Sequence, residues 1–224
     1  MMLFGLIVTI SFYVFAKWSY LRTRRTYLSP LITVPLCIIT LLAITGISYD
    51  TYNGGAKWLS FMLQPATIAF AVPLYKYRSL TKKHALVIIV SVLCGSLTAV
   101  LSSTLIAEVF NVNTELIISL VPRSVTTPIA MDISKTIGGV PSITAVFVII
   151  TGLLGSLIGP LLIRFLKIES EIARGVLLGT GAHAMGTSKA FEFTAATGTI
   201  SSLSMILAGI LTLCSAPFLI PLFL

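Results

Sequence analysis

Arg123 and His183 are the residues best suited to chemistry. Each is a cationic or titratable group set among hydroxyls and helix breakers, inside otherwise apolar sequence. Around Arg123 the chain reads L-V-P-R-S-V-T-T-P-I-A-M-D from Leu120 to Asp132, and around His183 it reads T-G-A-H-A-M-G-T-S-K-A-F-E from Thr180 to Glu192. Pro122 and Pro128 each remove a backbone donor and disfavour helix in the residue before them, so Arg123–Thr127 is expected to be turned or extended. A half-helix starting near Pro128 would aim unpaired amides at that break, which suits an anion. The Arg123 guanidinium adds full charge and a fork that matches a carboxylate. Ser124, Thr126 and Thr127 supply hydroxyls beside it. In the second stretch Gly179, Gly181 and Gly186 permit close backbone approach and positive φ. Thr187 and Ser188 supply hydroxyls there, and His183 can donate, accept or titrate near neutral pH. This makes Arg123, Ser124, Thr126, Thr127, His183, Thr187 and Ser188 candidates for binding an anion. Asp132, His183 and Glu192 are candidates for coupling to a proton or ion. Each has a plainer reading: Arg123 neutralising carbonyls or Asp132, His183 satisfied in the core, Asp132 and Glu192 facing water, the threonines capping helices. Lys189 either adds charge or extends toward a surface.

The elements that must hold these groups are membrane helices. Of 224 residues, 56% are hydrophobic and only 10% charged, with mean hydropathy +1.03; a soluble domain carries about 25% charged residues. Apolar runs fall at about 2–16, 30–48, 58–75, 84–107, 142–163 and 200–224, six in all, each read as a span. Gln64-Pro65 would kink the third. The first run is not read as a signal peptide, since its positive charges follow it. Tyr49–Lys57 reads as an outer loop. The net charge of +8 does not point to nucleic acid, because Arg22, Arg24, Arg25, Lys76, Arg78, Lys82 and Lys83 sit in short loops, where they set orientation with the N-terminus outside. Cys37, Cys94 and Cys214 lie singly in apolar runs and read as small core hydrophobes. Gly152, Gly155 and Gly159 read as close-packing positions. No metal-ligand spacing, Walker loop or G-x-S-x-G is present, so neither an enzyme nor a cofactor is expected.

Sliding the chain by 60 positions superposes Gly95-Ser96-Leu97 on Gly155-Ser156-Leu157, Asp132 on Glu192 and Arg123 on His183. This suggests two repeats, 84–141 and 142–224, each a clean span followed by an interrupted segment, behind a scaffold or dimer-forming region 1–83. If the interrupted segments cross fully, the repeats are parallel. If they enter and return on one side, the repeats are inverted, with Arg164, Lys167 and Arg174 on the same side as the other basic loops. The distribution of positive charge favours the inverted case, the usual plan of secondary transporters. The expected fold is thus an all-α polytopic membrane protein of about six spans and two re-entrant or broken-helix hairpins.

The stretches Pro122–Asp132, Gly138–Val148 (G-G-V-P-S-I-T-A-V-F-V) and Ala173–Thr187 (A-R-G-V-L-L-G-T-G-A-H-A-M-G-T) resemble the LrgB/CidB family, as do Thr45–Asp50 and Leu63–Tyr75. The resemblance runs nearly the whole length of the chain. It implies a bacterial cytoplasmic-membrane protein paired with a small LrgA/CidA-type membrane protein. Bacterial members are called antiholin-like, or regulators of murein hydrolase export and cell lysis. A plastid relative looks like a glycolate/glycerate translocator, and some bacterial pairs are linked to pyruvate uptake. The family pattern often has lysine at Arg123 and glutamate at Asp132; both departures keep the charge. Two functions therefore stand side by side: a carrier of a small monocarboxylate, coupled to H⁺ or Na⁺, and a holin/antiholin-like assembly. A passive subunit of a two-component transporter is a third.

Overall fold

The computed structural model describes residues 3–23, 28–62, 65, 68, 69 and 71–219. Arg24, Arg25 and Gln64, and with Gln64 the expected kink, lie outside them. The described chain is helical, with no strands, and separates into two compact units, Met1–Ala71 and Val72–Leu224. The division falls before the expected boundary at 83.

The first unit holds α1 (Phe4–Thr23), α2 (Pro30–Thr45) and α3 (Tyr49–Phe61). α3 occupies the stretch expected to be an outer loop. Ser48 Oγ accepts from Thr51 N–H at 3.3 Å and Asp50 lies in the first turn, both of which favour a helix start. Gly5 lets α1 approach the Tyr52 carbonyl directly, and Thr9 and Tyr52 join hydroxyls at 2.8 Å.

A short helix, α4 (Ala71–Lys76), opens the second unit from its second residue onward, followed by the short α5 (Arg78–Lys83) and the long α6 (Ala85–Val109). Within the expected third span, 58–75, α3 ends at Phe61, while residues 63, 64, 66, 67 and 70 lie outside the described residues; the stretch contains Pro65 and Pro73, each lacking a helix donor. After α6 come α7 (Thr114–Leu120), a 3-10 turn (Val121–Ser124) and α8 (Thr127–Thr136). Then follow α9 (Pro141–Phe165), α10 (Glu171–Phe193) and α11 (Ala195–Leu219). Among the described residues, α1, α6, α9 and α11 are long and apolar enough to cross a membrane, and α2 is a shorter apolar helix. The chain is a multi-pass membrane protein, and its described residues hold four such long helices where six spans were expected. The three cysteines are exposed on helix exteriors, not in the core; an outer surface facing hydrocarbon accepts a small apolar side chain as readily as an interior does.

Both interrupted segments double back. A straight helix of 23 residues would be about 34 Å long, yet the two ends of α10 meet. Thr194 Oγ1 donates to Glu171 Oε1 at 2.6 Å, and Arg174 lies over the Phe193 ring. The turn is at Ala182 (φ −139, ψ 17) and His183 (φ 40, ψ −127). The first segment turns at Val125 and Thr126, both extended, so that Ser119 before the turn lies against Ser134 and Val140 after it. A buried hydroxyl cluster fixes that hairpin to the start of α9. Thr144 Oγ1 reaches the Ser119 carbonyl at 2.9 Å and Ser134 Oγ at 2.7 Å, and Val140 N–H donates to Ser119 Oγ at 2.8 Å. Thr144→Val should therefore cost about 1–2 kcal/mol, read as a lower unfolding temperature in detergent.

Two pairs of elements in this unit match in length, at a spacing different from that of the sequence identities. α6 and α9 are each 25 residues and start 56 positions apart, at Ala85 and Pro141. The two broken segments, Thr114–Thr136 and Glu171–Phe193, are equal in length and start 57 apart. Left-handed Asn111 (φ 51) and Lys167 (φ 50) end the two long helices alike. Element boundaries therefore recur at 56–57, not at the 60 suggested by matching residues. Leu80 of α5 and Ile172 of α10 pack on one apolar cluster, with Ile88, Val92, Ile200 and Ala208. The basic stretches Lys76–Lys83 and Arg164–Arg174 accordingly share one end of the unit.

Candidate functional site

The two hairpin tips converge. Arg123, from the first, and Gly181 and Ala182, from the second, line one open cleft of about 370 Å³ along the face of α9 that carries Thr151, Gly155 and Gly159. Its walls are otherwise Leu, Ile, Gly and Ala, so among the described residues Arg123 and Thr151 are its only polar lining side chains. Each tip joins the C-terminal end of one helical arm to the N-terminal end of the next, which leaves backbone donors and acceptors unpaired near the turn. The small residues of α9 make this approach possible. A Cβ on Gly155 would sit 3.0 Å from the Gly181 carbonyl, and one on Gly159 would crowd Leu178. The close-packing role expected for Gly152, Gly155 and Gly159 is therefore met.

Arg123 is half-buried. Its Nη2 donates to the Ala99 carbonyl of α6 at 3.0 Å and its Nη1 to Ser124 Oγ at 3.4 Å. These two bonds fix the guanidinium plane and leave other N–H groups of its five-donor fork for a ligand. Ser124 is buried beside it, Thr126 is the N-cap position of α8 without a side-chain cap bond, and Thr127, not Pro128, opens the helix. The first group of predicted residues is thus gathered at one tip.

The second group is dispersed. His183 is 3% exposed and turned into α9, with Nε2 at 3.0 Å from the Val148 carbonyl and its ring against Gly152; it is not among the residues that line the cleft. Thr187 is buried and shares a 3.0 Å bond with Ser201 of α11, while Ser188 is exposed and donates to the Ala184 carbonyl. Asp132 is exposed on α8, and Glu192 pairs with Lys189 at 2.8 Å, both away from the cleft. Gly179, Gly181 and Gly186 do not carry the positive φ expected of them. His183 itself takes the left-handed conformation, and Gly179 and Gly186 serve close packing: a Cβ on either would strike a backbone carbonyl, that of Ser201 or of Leu178. Sequence reasoning passed over Thr151, since one hydroxyl in an apolar helix gives no pattern; its position four residues before Gly155 was the available signal.

A non-glycine residue at φ 40 is strained by about 1–3 kcal/mol. Nδ1 of the same buried ring has no hydrogen-bond partner among the described residues. His183→Gly should therefore be less destabilising than His183→Ala by about that amount, because both lose the ring and only glycine relieves the backbone. Thermal unfolding of the two variants side by side tests this.

The sequence pattern of the LrgB-like family matches residues 9–222. The chain is 56% identical over 216 residues to the uncharacterized protein YwbG of Bacillus subtilis, covering 96% of each chain. It is 36% identical over 218 residues to the holin-like protein CidB of Staphylococcus aureus, covering 97% of this chain and 95% of that one. No solved structure matches it.

Proposed function

The chain belongs to the LrgB-like family, and from that membership we propose that it acts as a holin-like protein of the bacterial cytoplasmic membrane, controlling permeability and murein hydrolase export together with an LrgA/CidA-type small membrane protein. The observation that carries this reading is the full-length similarity to holin-like CidB proteins. On this reading the chain assembles with copies of itself and with its partner, and its activity follows their ratio.

One structural observation favours a second reading. A lesion needs no paired polar turns, yet here two doubled-back segments bring Arg123 and the Gly181–Ala182 turn to one cleft between membrane helices. Polar breaks at membrane depth are tolerated where they line a cavity, and a buried cation there is usually functional. On this reading the hairpins enter from opposite faces, as in inverted-repeat carriers. Arg123 then neutralises a small monocarboxylate of the pyruvate, glycolate or lactate class, and no enzymatic step is involved.

Reconstitution separates the two. The purified chain is placed in liposomes alone and with an LrgA-type partner, and release of a large dye and entry of labelled pyruvate, glycolate and lactate are followed with and without a pH gradient. Partner-dependent dye release without saturable uptake supports the holin-like function. Saturable uptake with the dye retained transfers the assignment to a carrier.

A further inference from the structure

The sequence between Asp50 and Glu108 contains no acidic residue, but it holds Lys57, Lys76, Arg78, Lys82 and Lys83. Four of these five cations fall within eight positions, on α4 and α5, immediately before the long apolar α6. α5 is held in a fixed orientation. Leu80 packs on the apolar cluster of α6 and α11, Thr81 Oγ1 donates to the Tyr77 carbonyl at 3.2 Å, and Tyr77, Leu80, Thr81 and His84 form the half-buried side. Lys76, Arg78, Lys82 and Lys83 are left exposed, and none of them is ion-paired among the described residues. Two tyrosines border them: the Arg78 guanidinium lies 4.7 Å from the Tyr75 ring centroid and Lys76 Nζ 5.9 Å from that of Tyr77.

Solvated charges used only to orient a span need no rigid display and no aromatic border. This elbow has both, at a defined depth. α6 has 25 residues, about 37 Å of helix, which exceeds a hydrocarbon core of roughly 30 Å. Its first turn therefore lies at the level of the lipid headgroups, where tyrosine rings also settle. A clustered positive surface at that depth meets phosphates bearing negative charge before it meets anything dissolved in water.

We propose that the elbow formed by Lys76, Arg78, Lys82 and Lys83 is a headgroup site for anionic phospholipid. The site sits at the root of the second hairpin, because Leu80 shares its cluster with Ile172 and Val176 of α10. A lipid bound there braces the arm that ends in the Gly181–Ala182 turn.

The test uses the whole protein in vesicles of phosphatidylcholine alone and of phosphatidylcholine with phosphatidylglycerol. Spin-labelled phosphatidylglycerol reports association, and native mass spectrometry reports retained lipid. The double variant Lys82→Ser/Lys83→Ser is compared with Lys57→Ser/Lys135→Ser, which removes the same charge from exposed positions elsewhere. Phosphatidylglycerol association should weaken by up to about five-fold per lysine in the first variant and hardly at all in the second, and the difference should shrink as salt is raised. Both variants should elute and unfold like the parent. Equal retention in the two variants would overturn the proposal. So would association that ignores headgroup charge, or capture of an acidic protein segment by the elbow with no lipid preference.

Discussion

Gly186→Ala should prevent the second hairpin from closing, while Gly181→Ala, five positions away, should be silent. A Cβ on Gly186 would overlap the Leu178 carbonyl of the opposite arm and stand 2.7 Å from the Ala182 Cβ. The obstructing atom is backbone in a packed helix, so no rotamer change relieves it. The arms would have to separate, taking with them the cluster of Ile163, Leu178 and Ala190 and the bond between Thr194 and Glu171. A loss on the order of 3 kcal/mol is expected, enough to remove most folded protein from a detergent extract. At Gly181 nothing lies within 4 Å of the added atom and the backbone φ is ordinary, so that variant should match the parent in elution profile and unfolding temperature. Equal stability of the two variants would mean that the arms are not apposed as described.

Arg123→Ala should leave folding intact and remove activity. The Ala99 carbonyl that accepts from Arg123 also accepts from Ser103 Oγ at 2.8 Å, so losing the guanidinium leaves no orphaned acceptor there. Its loss does take from the cleft lining the only charged side chain among the described residues. Permeability measured in liposomes, as dye release or as solute uptake, should fall at least about ten-fold, the scale of a charge-assisted hydrogen bond or more. Arg123→Lys then divides the two functional readings. Lysine keeps the charge but not the planar fork. An activity that needs only a cation in the cleft survives it, and one that grips a carboxylate by two parallel bonds does not. Full activity in Arg123→Ala would exclude the cleft from function.

The first tip was legible because proline acts locally. Pro122 and Pro128 bracket the turn, and Thr126–Thr127 opens the next helix within a residue of expectation. The second tip was legible as a region but not to the residue. Glycine marked it, yet the left-handed conformation fell on His183, held there by the Val148 carbonyl and by the space Gly152 leaves. No local signal encodes that choice, because it depends on a helix more than thirty positions earlier. The fold-back itself could be read only indirectly, from the placement of Arg164, Lys167 and Arg174. The helix from Tyr49 was missed because Tyr49–Lys57, lying between two apolar runs, read as an outer loop, whereas packing on Gly5 of α1 decides otherwise. Thr187 and Ser188 had suitable hydroxyls but the wrong sides of their helix: one faces α11 and the other faces outward.

The two halves of the second unit match in the lengths of their long helices and of their broken segments, while the residues that correspond at that spacing are mostly different. Packing therefore constrains the lengths of these elements more tightly than the identity of their apolar residues. Most exchanges of one apolar residue for another are then absorbed, but a single codon gained or lost inside α6 or α9 rotates everything beyond it by about 100° and carries a tip out of the cleft. Insertions and deletions inside these two helices should therefore be tolerated far less than substitutions.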